Sequence, residues 1–209
     1  MLTHEATVQR WTRIGLYLVV ATMAYNMAEA GVALWSGAEA DSVALVGFGL
    51  DSLIETMAAG MLLWRLRLKT QSADSEHEEA VERRVHRFVG GTFLALALYV
   101  LSQAGWMLWQ QEAPSASLVG ILLALASLVV MPLAAIGKLR AASIIGSGAL
   151  RAEAKETLAC SYLSLTLLLG LAANAVAGWW WADPVAALCM VPWLVKEGVE
   201  GVRGEACCD

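Results

Sequence analysis

Long apolar runs separated by short polar segments are the dominant pattern of this chain. A transmembrane helix needs about 20 apolar residues, because an α-helix rises about 1.5 Å per residue and the hydrocarbon core is about 30 Å thick. Five runs meet this length plainly, and a sixth is shorter and interrupted by Pro184 and Pro192. The predicted spans are residues 12–35, 42–64, 88–109, 117–137, 152–181 and 183–199.

The positions of the basic residues favour six spans over five. With six spans, all 14 lysines and arginines lie on one side of the membrane, including Lys138 and Arg140 between spans four and five. An excess of lysine and arginine marks the cytoplasmic side. We therefore predict an all-α membrane protein with six transmembrane helices, both termini in the cytoplasm and no sizeable soluble domain. The expected organisation is one domain over residues 1–205 and a cysteine-rich tail over 206–209.

Composition agrees with a membrane location. The 209 residues are 58% hydrophobic and only 16% charged, whereas a soluble domain carries about 25% charged residues. The net charge of -5 offers no basic patch, which argues against a nucleic-acid partner and leaves membrane lipids as the surroundings. The first span is too long for a signal peptide and lacks a small-residue cleavage site, so we expect a retained anchor in a bacterial inner membrane.

Two acids in the second span are the most unusual feature. Asp51 and Glu55 are four residues apart, so they share one helix face near the middle of the span. Ionisable groups in the hydrocarbon core cost about 2.5–3.5 kcal/mol each and mostly face the protein interior. Two ionised carboxylates would repel each other unless a divalent cation lay between them. Competition between protons and a metal for such acids is the chemistry of a coupled exchanger.

The fifth span offers a matching pair. Glu156 and Cys160 are also four residues apart, and two helices that each present two ligands can close a four-ligand site. Carboxylates combined with a thiolate suit zinc, cadmium or another borderline-to-soft divalent ion better than magnesium or calcium. The predicted metal site is therefore Asp51, Glu55, Glu156 and Cys160.

Five further residues are accessory candidates for metal binding. Structural roles compete with metal binding at most of these positions: Glu29 can relay an ion or pair with Asn26, and the tail thiols can be idle. Structural alternatives also exist for the main set, where the acids of span two could pin helix packing and Cys160 could be a small packing residue. The accessory candidates are Glu29, Glu153, Asp183, Cys207 and Cys208.

The charged loop over residues 65–87 has two interpretations. It can be a solvated linker, or it can collect metal weakly through its acids and histidines. The four cysteines do not indicate a disulfide framework, because two lie in spans and two in the cytoplasmic tail.

Three motifs, in this order and spacing, resemble the cation diffusion facilitator family of divalent-metal/proton antiporters. They are "DSLIE" in span two, "LRAEAK" before the span-five pair and "WWWADPVAAL" at the start of span six. The resemblance covers about residues 13–203. It implies metal export from the cytoplasm in exchange for protons, a homodimer through transmembrane helices, and Zn²⁺ as the first candidate cargo. Cd²⁺, Co²⁺, Fe²⁺, Mn²⁺ and Hg²⁺ are the other candidates.

The sequence also departs from the family's usual pattern. Glu55 stands where a second aspartate is usual, and Glu156 and Cys160 stand where the family has histidine or aspartate followed by aspartate. The family's ferredoxin-like cytoplasmic domain is not expected here.

Two other functions compete with transport. A non-transporting membrane protein could bind metal as a scaffold, with the cysteine tail as a capture element. An intramembrane enzyme could use the paired acids for metal-assisted hydrolysis, but no histidine lies in the spans to act as ligand or base. We therefore expect that the protein is not an enzyme.

Overall fold

The computed structural model describes residues 2–68, 75–111 and 114–203, with side chains described over 6–64, 87–111 and 114–203. Within these ranges the chain forms six α-helices and no strand, which confirms the predicted all-α fold. The helices are α1 (Leu2–Ala40), α2 (Val43–Leu68), α3 (Ser75–Gln110), α4 (Leu118–Ile145), α5 (Gly148–Ala177) and α6 (Ala182–Arg203).

Five of the described helices, α1 to α5, are long and apolar enough to cross a membrane. The sixth, α6, is not among these five, although its 22 residues would rise about 33 Å. Its polar residues include Asp183 in the first turn and Arg203 in the last turn, and Pro192 lies inside the helix. Span six is thus the weakest apolar signal of the six, as the sequence pattern indicated.

The connection between α4 and α5 is much tighter than the predicted spans suggest. Gly146 ends α4 with a left-handed φ of 67°, and Ser147 caps α5 by accepting a hydrogen bond from the Leu150 amide at 3.2 Å. Glycine adopts this conformation without a steric penalty. The apolar helix α4 therefore continues to Ile145 instead of ending near residue 137, and Lys138 lies inside it.

Helices α2 and α5 form the centre of the bundle. Helix α2 packs against α1, α3, α5 and α6, and α5 packs against α2, α4 and α6. In its most apolar segment, 67% of α2 is buried, compared with 28% of α3 and 28% of α4. Side chains on the facing sides of α2 and α5 are therefore shielded from lipid.

The contact between α3 and α6 depends on glycine. A Cβ atom at Gly90 would lie 2.6 Å from the Val202 backbone nitrogen and 2.7 Å from the Gly198 carbonyl oxygen. Gly198 in turn faces Leu94 of α3. Small residues allow transmembrane helices to approach closely. The two backbones can therefore pack directly against each other because no side chain lies between them.

We expect Gly90→Ala to lower the free energy of unfolding by about 1–3 kcal/mol, because the added methyl group must push two backbones apart. Gly91→Ala is the matched control, since a Cβ atom there meets no other atom within 4 Å and alanine favours helix. Thermal unfolding of the two variants in detergent measures the difference. Equal stability of the two variants would contradict the close contact.

Candidate metal site

Helices α2 and α5 face each other at the predicted site. Oε1 of Glu55 lies 3.3 Å from Oγ1 of Thr157, and Glu55 interacts electrostatically with Cys160, one turn further along α5. All three of these side chains are buried. Glu55 of α2 is thus in contact with α5 at Thr157.

Asp51 and Glu156 complete the predicted set of four. Asp51 is buried and Glu156 is half-buried, and each of them interacts electrostatically with Glu55. Asp51 also lies within electrostatic range of Cys160 and of Glu156. The structure therefore brings the side chains of the two i,i+4 pairs into one region between α2 and α5.

These donors do not form a closed coordination shell. Among the residues that the structure describes, no group of three or more histidine, cysteine, aspartate or glutamate side chains is arranged to hold a metal ion. A metal that bound here would have to draw the donors of α2 and α5 closer together.

The family of this chain follows from a comparison with known proteins. A family model described as the cation efflux transmembrane domain matches residues 18–203. The chain belongs to the cation efflux family. It is also 28% identical, over 179 residues, to the uncharacterized transporter sll1263 of Synechocystis sp.. The aligned part is 84% of this chain and 58% of that protein, so the chain spans little more than half the length of the curated relative.

The sequence did not predict the buried lysine that lies beside the candidate metal site of this cation efflux domain. Lys138 was placed in the loop between spans four and five, but the structure places it inside α4 with no exposed surface. Its Nζ donates to Oε1 of Glu153 at 2.6 Å, to Oγ1 of Thr22 at 2.7 Å and to Oγ1 of Thr157 at 2.9 Å. Its position one residue beyond a long apolar run was the signal that could have suggested burial.

Glu153, an accessory candidate, forms an ion pair with this lysine. The 2.6 Å distance between Nζ of Lys138 and Oε1 of Glu153 is within salt-bridge range, and both side chains are buried. The other carboxylate oxygen, Oε2, has no hydrogen-bond partner among the residues that the structure describes. One oxygen of Glu153 is therefore held by an internal cation, and its role as an accessory ligand stays a prediction.

Glu29, a second accessory candidate, lies in a network of hydroxyl groups. Ser52 of α2 donates to its Oε2 at 3.0 Å and Ser127 of α4 donates to its Oε1, while Tyr25 donates to Ser127 at 3.3 Å. The predicted partner, Asn26, is buried, but its Oδ1 atom has no hydrogen-bond partner within the described part of the chain. Glu29 thus joins three helices through hydroxyl groups, and the interaction with Asn26 is absent.

Asp183, a third accessory candidate, ties α6 to the start of α2. Its carboxylate accepts hydrogen bonds from the Ser42 hydroxyl and, at 3.3 Å, from the backbone amide of Ala44. Ser42 also accepts a hydrogen bond from the Leu45 amide at 3.1 Å. The first turn of α2 is therefore capped by a residue of α6. The thirteen residues from Ser42 to Glu55 place this cap about 20 Å from the candidate site.

Glu197 of α6 was absent from the sequence-predicted site. It is half-buried and lies within electrostatic range of Asp51 and of Glu156. The sequence did not suggest this proximity, because Glu197 lies in the last two turns of α6, the most weakly apolar of the predicted spans. The predicted tail ligands Cys207 and Cys208, and the side chains of the charged segment 65–86, lie outside the described residues.

We expect Asp183→Ala to destabilise the cation efflux domain by about 1–3 kcal/mol, because it leaves buried donors at the start of α2 without an acceptor. Metal affinity should stay unchanged, since the cap is remote from Glu55. Thermal unfolding and Cd²⁺ binding in detergent measure the two effects. Asp41→Asn, at an exposed position, is the control. A loss of Cd²⁺ affinity in Asp183→Ala would instead place Asp183 in the metal pathway.

Proposed function

We propose that this cation efflux domain transports a divalent transition metal ion through a mid-membrane site formed by Asp51, Glu55, Glu156 and Cys160. Zinc or another borderline-to-soft divalent ion is the cargo, and the metal leaves the cytoplasm in exchange for protons. The observation that carries the proposal is the 3.3 Å contact of Glu55 in α2 with Thr157 in α5, which lies between Glu156 and Cys160 in the sequence. This contact links the two helices that bear the proposed donor pairs.

The donor set supports a borderline or soft ion. It contains three carboxylates and one thiol, and the described spans contain no histidine. Zinc accepts carboxylate oxygen and thiolate sulfur in a tetrahedral shell. A thiolate favours zinc and softer ions, whereas magnesium and calcium prefer oxygen ligands alone. Cys160 is therefore the residue that distinguishes this site from an all-carboxylate site.

The location of the donors supports exchange with protons. Carboxylates and a thiol that are buried in a membrane bundle bind protons when no cation is present, because the charged forms are poorly solvated there. Metal ligands must be deprotonated, so metal binding releases these protons. In the exchange, metal entering from the cytoplasm displaces protons, and protons entering from the opposite side release the metal.

A metal-binding scaffold without transport is the alternative. The observation that favours it is the set of side-chain ties between helices, from Asp183 to Ser42 and from Glu29 to Ser52 and Ser127. A scaffold would bind metal with a fixed stoichiometry and would show no flux across a membrane. Flux measurements therefore separate the two functions.

We expect Glu55→Gln to reduce metal flux by about tenfold or more, because it removes the carboxylate charge at the point where α2 contacts α5. The measurement is uptake of Zn²⁺ or Cd²⁺ into proteoliposomes that contain a metal-sensitive dye. Glu39→Gln is the matched control, since Glu39 is an exposed acid at the end of α1.

The same proteoliposomes test the proton exchange. Metal uptake should rise when the vesicle interior is made more acidic than the outside, because protons then leave as metal enters. A protonophore should abolish this increase. Wild-type flux that does not depend on the gradient would contradict antiport. A wild-type protein that binds metal without any flux would support the scaffold.

We expect Cys160→Ser to change which metal the protein prefers without abolishing metal binding. A hydroxyl oxygen in place of the thiol should lower the affinity for Cd²⁺ relative to Mn²⁺ by about tenfold, because soft ions prefer sulfur. Competition binding with the two ions in detergent measures the ratio. Cys189→Ser, at an exposed cysteine, is the control. An unchanged ratio would remove Cys160 from the coordination shell.

A further inference from the structure

We propose that Lys138 is a built-in counter-cation of the transport site, which neutralises Glu153 and keeps this carboxylate out of the cargo's coordination shell. In this role Lys138 is a positioning residue that sets the charge of the site from outside it. The inference rests on the proposed function, because it concerns how the same site is limited to its four donors.

The ammonium group of Lys138 is completely coordinated. A lysine ammonium has three N–H donors and no acceptor. In the structure these donors have three acceptors, Glu153, Thr22 and Thr157, at 2.6, 2.7 and 2.9 Å. The acceptors come from α1 and α5, while Lys138 comes from α4. The geometry is that of a cation held in an oxygen site, except that the cation is tethered to the protein.

The tethered cation lies close to the transport site. Thr157 contacts Nζ of Lys138 through Oγ1, and the same oxygen is 3.3 Å from Oε1 of Glu55. One hydroxyl group therefore separates the ammonium from a proposed metal ligand. Lys138 and Glu55 interact electrostatically across this hydroxyl. Charges interact strongly over such distances when water is excluded, because the effective dielectric constant is low.

The pair explains why Glu153 need not be a ligand. Glu153 lies on the same face of α5 as Thr157, one turn before it, so its carboxylate is within reach of the region of Glu55. Without a cation it would add a further negative charge there. Its Oε1 atom is occupied by Lys138, and its Oε2 atom has no hydrogen-bond donor. Lys138 is therefore the described partner that balances the charge of Glu153.

The test is a double-mutant cycle on Cd²⁺ binding to the full chain in detergent. In Glu153→Gln, the lysine charge is no longer balanced and faces Glu55, so Cd²⁺ affinity should fall by about tenfold or more. In Lys138→Met, no positive charge opposes the metal, so affinity should not fall. In the double variant Lys138→Met/Glu153→Gln, both charges are gone, and affinity should return to within about threefold of wild type.

A merely structural role predicts a different pattern. Breaking a buried ion pair from either side destabilises a protein, so both single variants would then bind Cd²⁺ more weakly. The proposal is overturned if Lys138→Met weakens binding, or if the double variant binds as weakly as Glu153→Gln. In the second case Glu153 would itself be a ligand. Thermal unfolding of all three variants shows whether the double variant, which carries no unpaired charge, is folded.

Glu55→Gln separates this inference from the proposed function. If Glu55→Gln leaves Cd²⁺ binding unchanged, the transport site itself is placed wrongly. If Glu55→Gln abolishes binding but the cycle at Lys138 and Glu153 fails, the site stands and the charge-balancing role of Lys138 is wrong.

Discussion

An ionisable group surrounded by hydrocarbon needs a partner, and this constraint governs the interior of the bundle. Breaking a buried ion pair typically costs about 3–5 kcal/mol, because one charge is left uncompensated. Lys138 and Glu153 satisfy the constraint with each other, and two threonine hydroxyls occupy the remaining N–H donors of the lysine. Glu29 and Asp183 satisfy it with hydroxyl and amide donors. Among the acids between α2 and α5, Glu55 has the Thr157 hydroxyl as a partner and lies near Lys138, while Asp51 and Glu156 repel it electrostatically. A bound cation would offset this repulsion, which is why these acids are the candidates for binding one.

Hydrogen bonds join α2 to a different neighbouring helix at each of three positions along its length. At its first turn, Ser42 binds Asp183 of α6, and ten residues later Ser52 binds Glu29 of α1. Three residues beyond Ser52, Glu55 contacts Thr157 of α5. The central helix is therefore connected to three different neighbours at successive levels, about 15 Å and then about 5 Å apart along its axis. The first two levels end in satisfied hydrogen bonds, and the third opens onto the cluster of acids and the thiol.

Family membership and cargo rest on different evidence in this protein. Membership follows from a match over residues 18–203, which reflects the order and pattern of the helices. The cargo depends on a few side chains, and the curated relative that is 28% identical is named only as an uncharacterized transporter, which specifies no metal. In the proposed donor set, Glu55, Glu156 and Cys160 replace the residues that the sequence analysis gave as usual for the family. The choice of metal must therefore be argued from carboxylate and thiol chemistry rather than from family membership.

Apolar run length was sufficient to predict six helices, and i,i+4 spacing was sufficient to predict that Asp51 and Glu55 share one face and Glu156 and Cys160 another, because both are local properties of a helix. The same local reasoning placed Lys138 in a loop and left Glu153 and Asp183 as accessory ligands. Only the packed bundle shows that α4 continues through Lys138, that this lysine reaches Glu153 across α5, and that Asp183 caps α2. A helix sequence specifies which residues share a face. Which residues of other helices meet that face depends on how six helices pack, and burial and charge compensation are decided there.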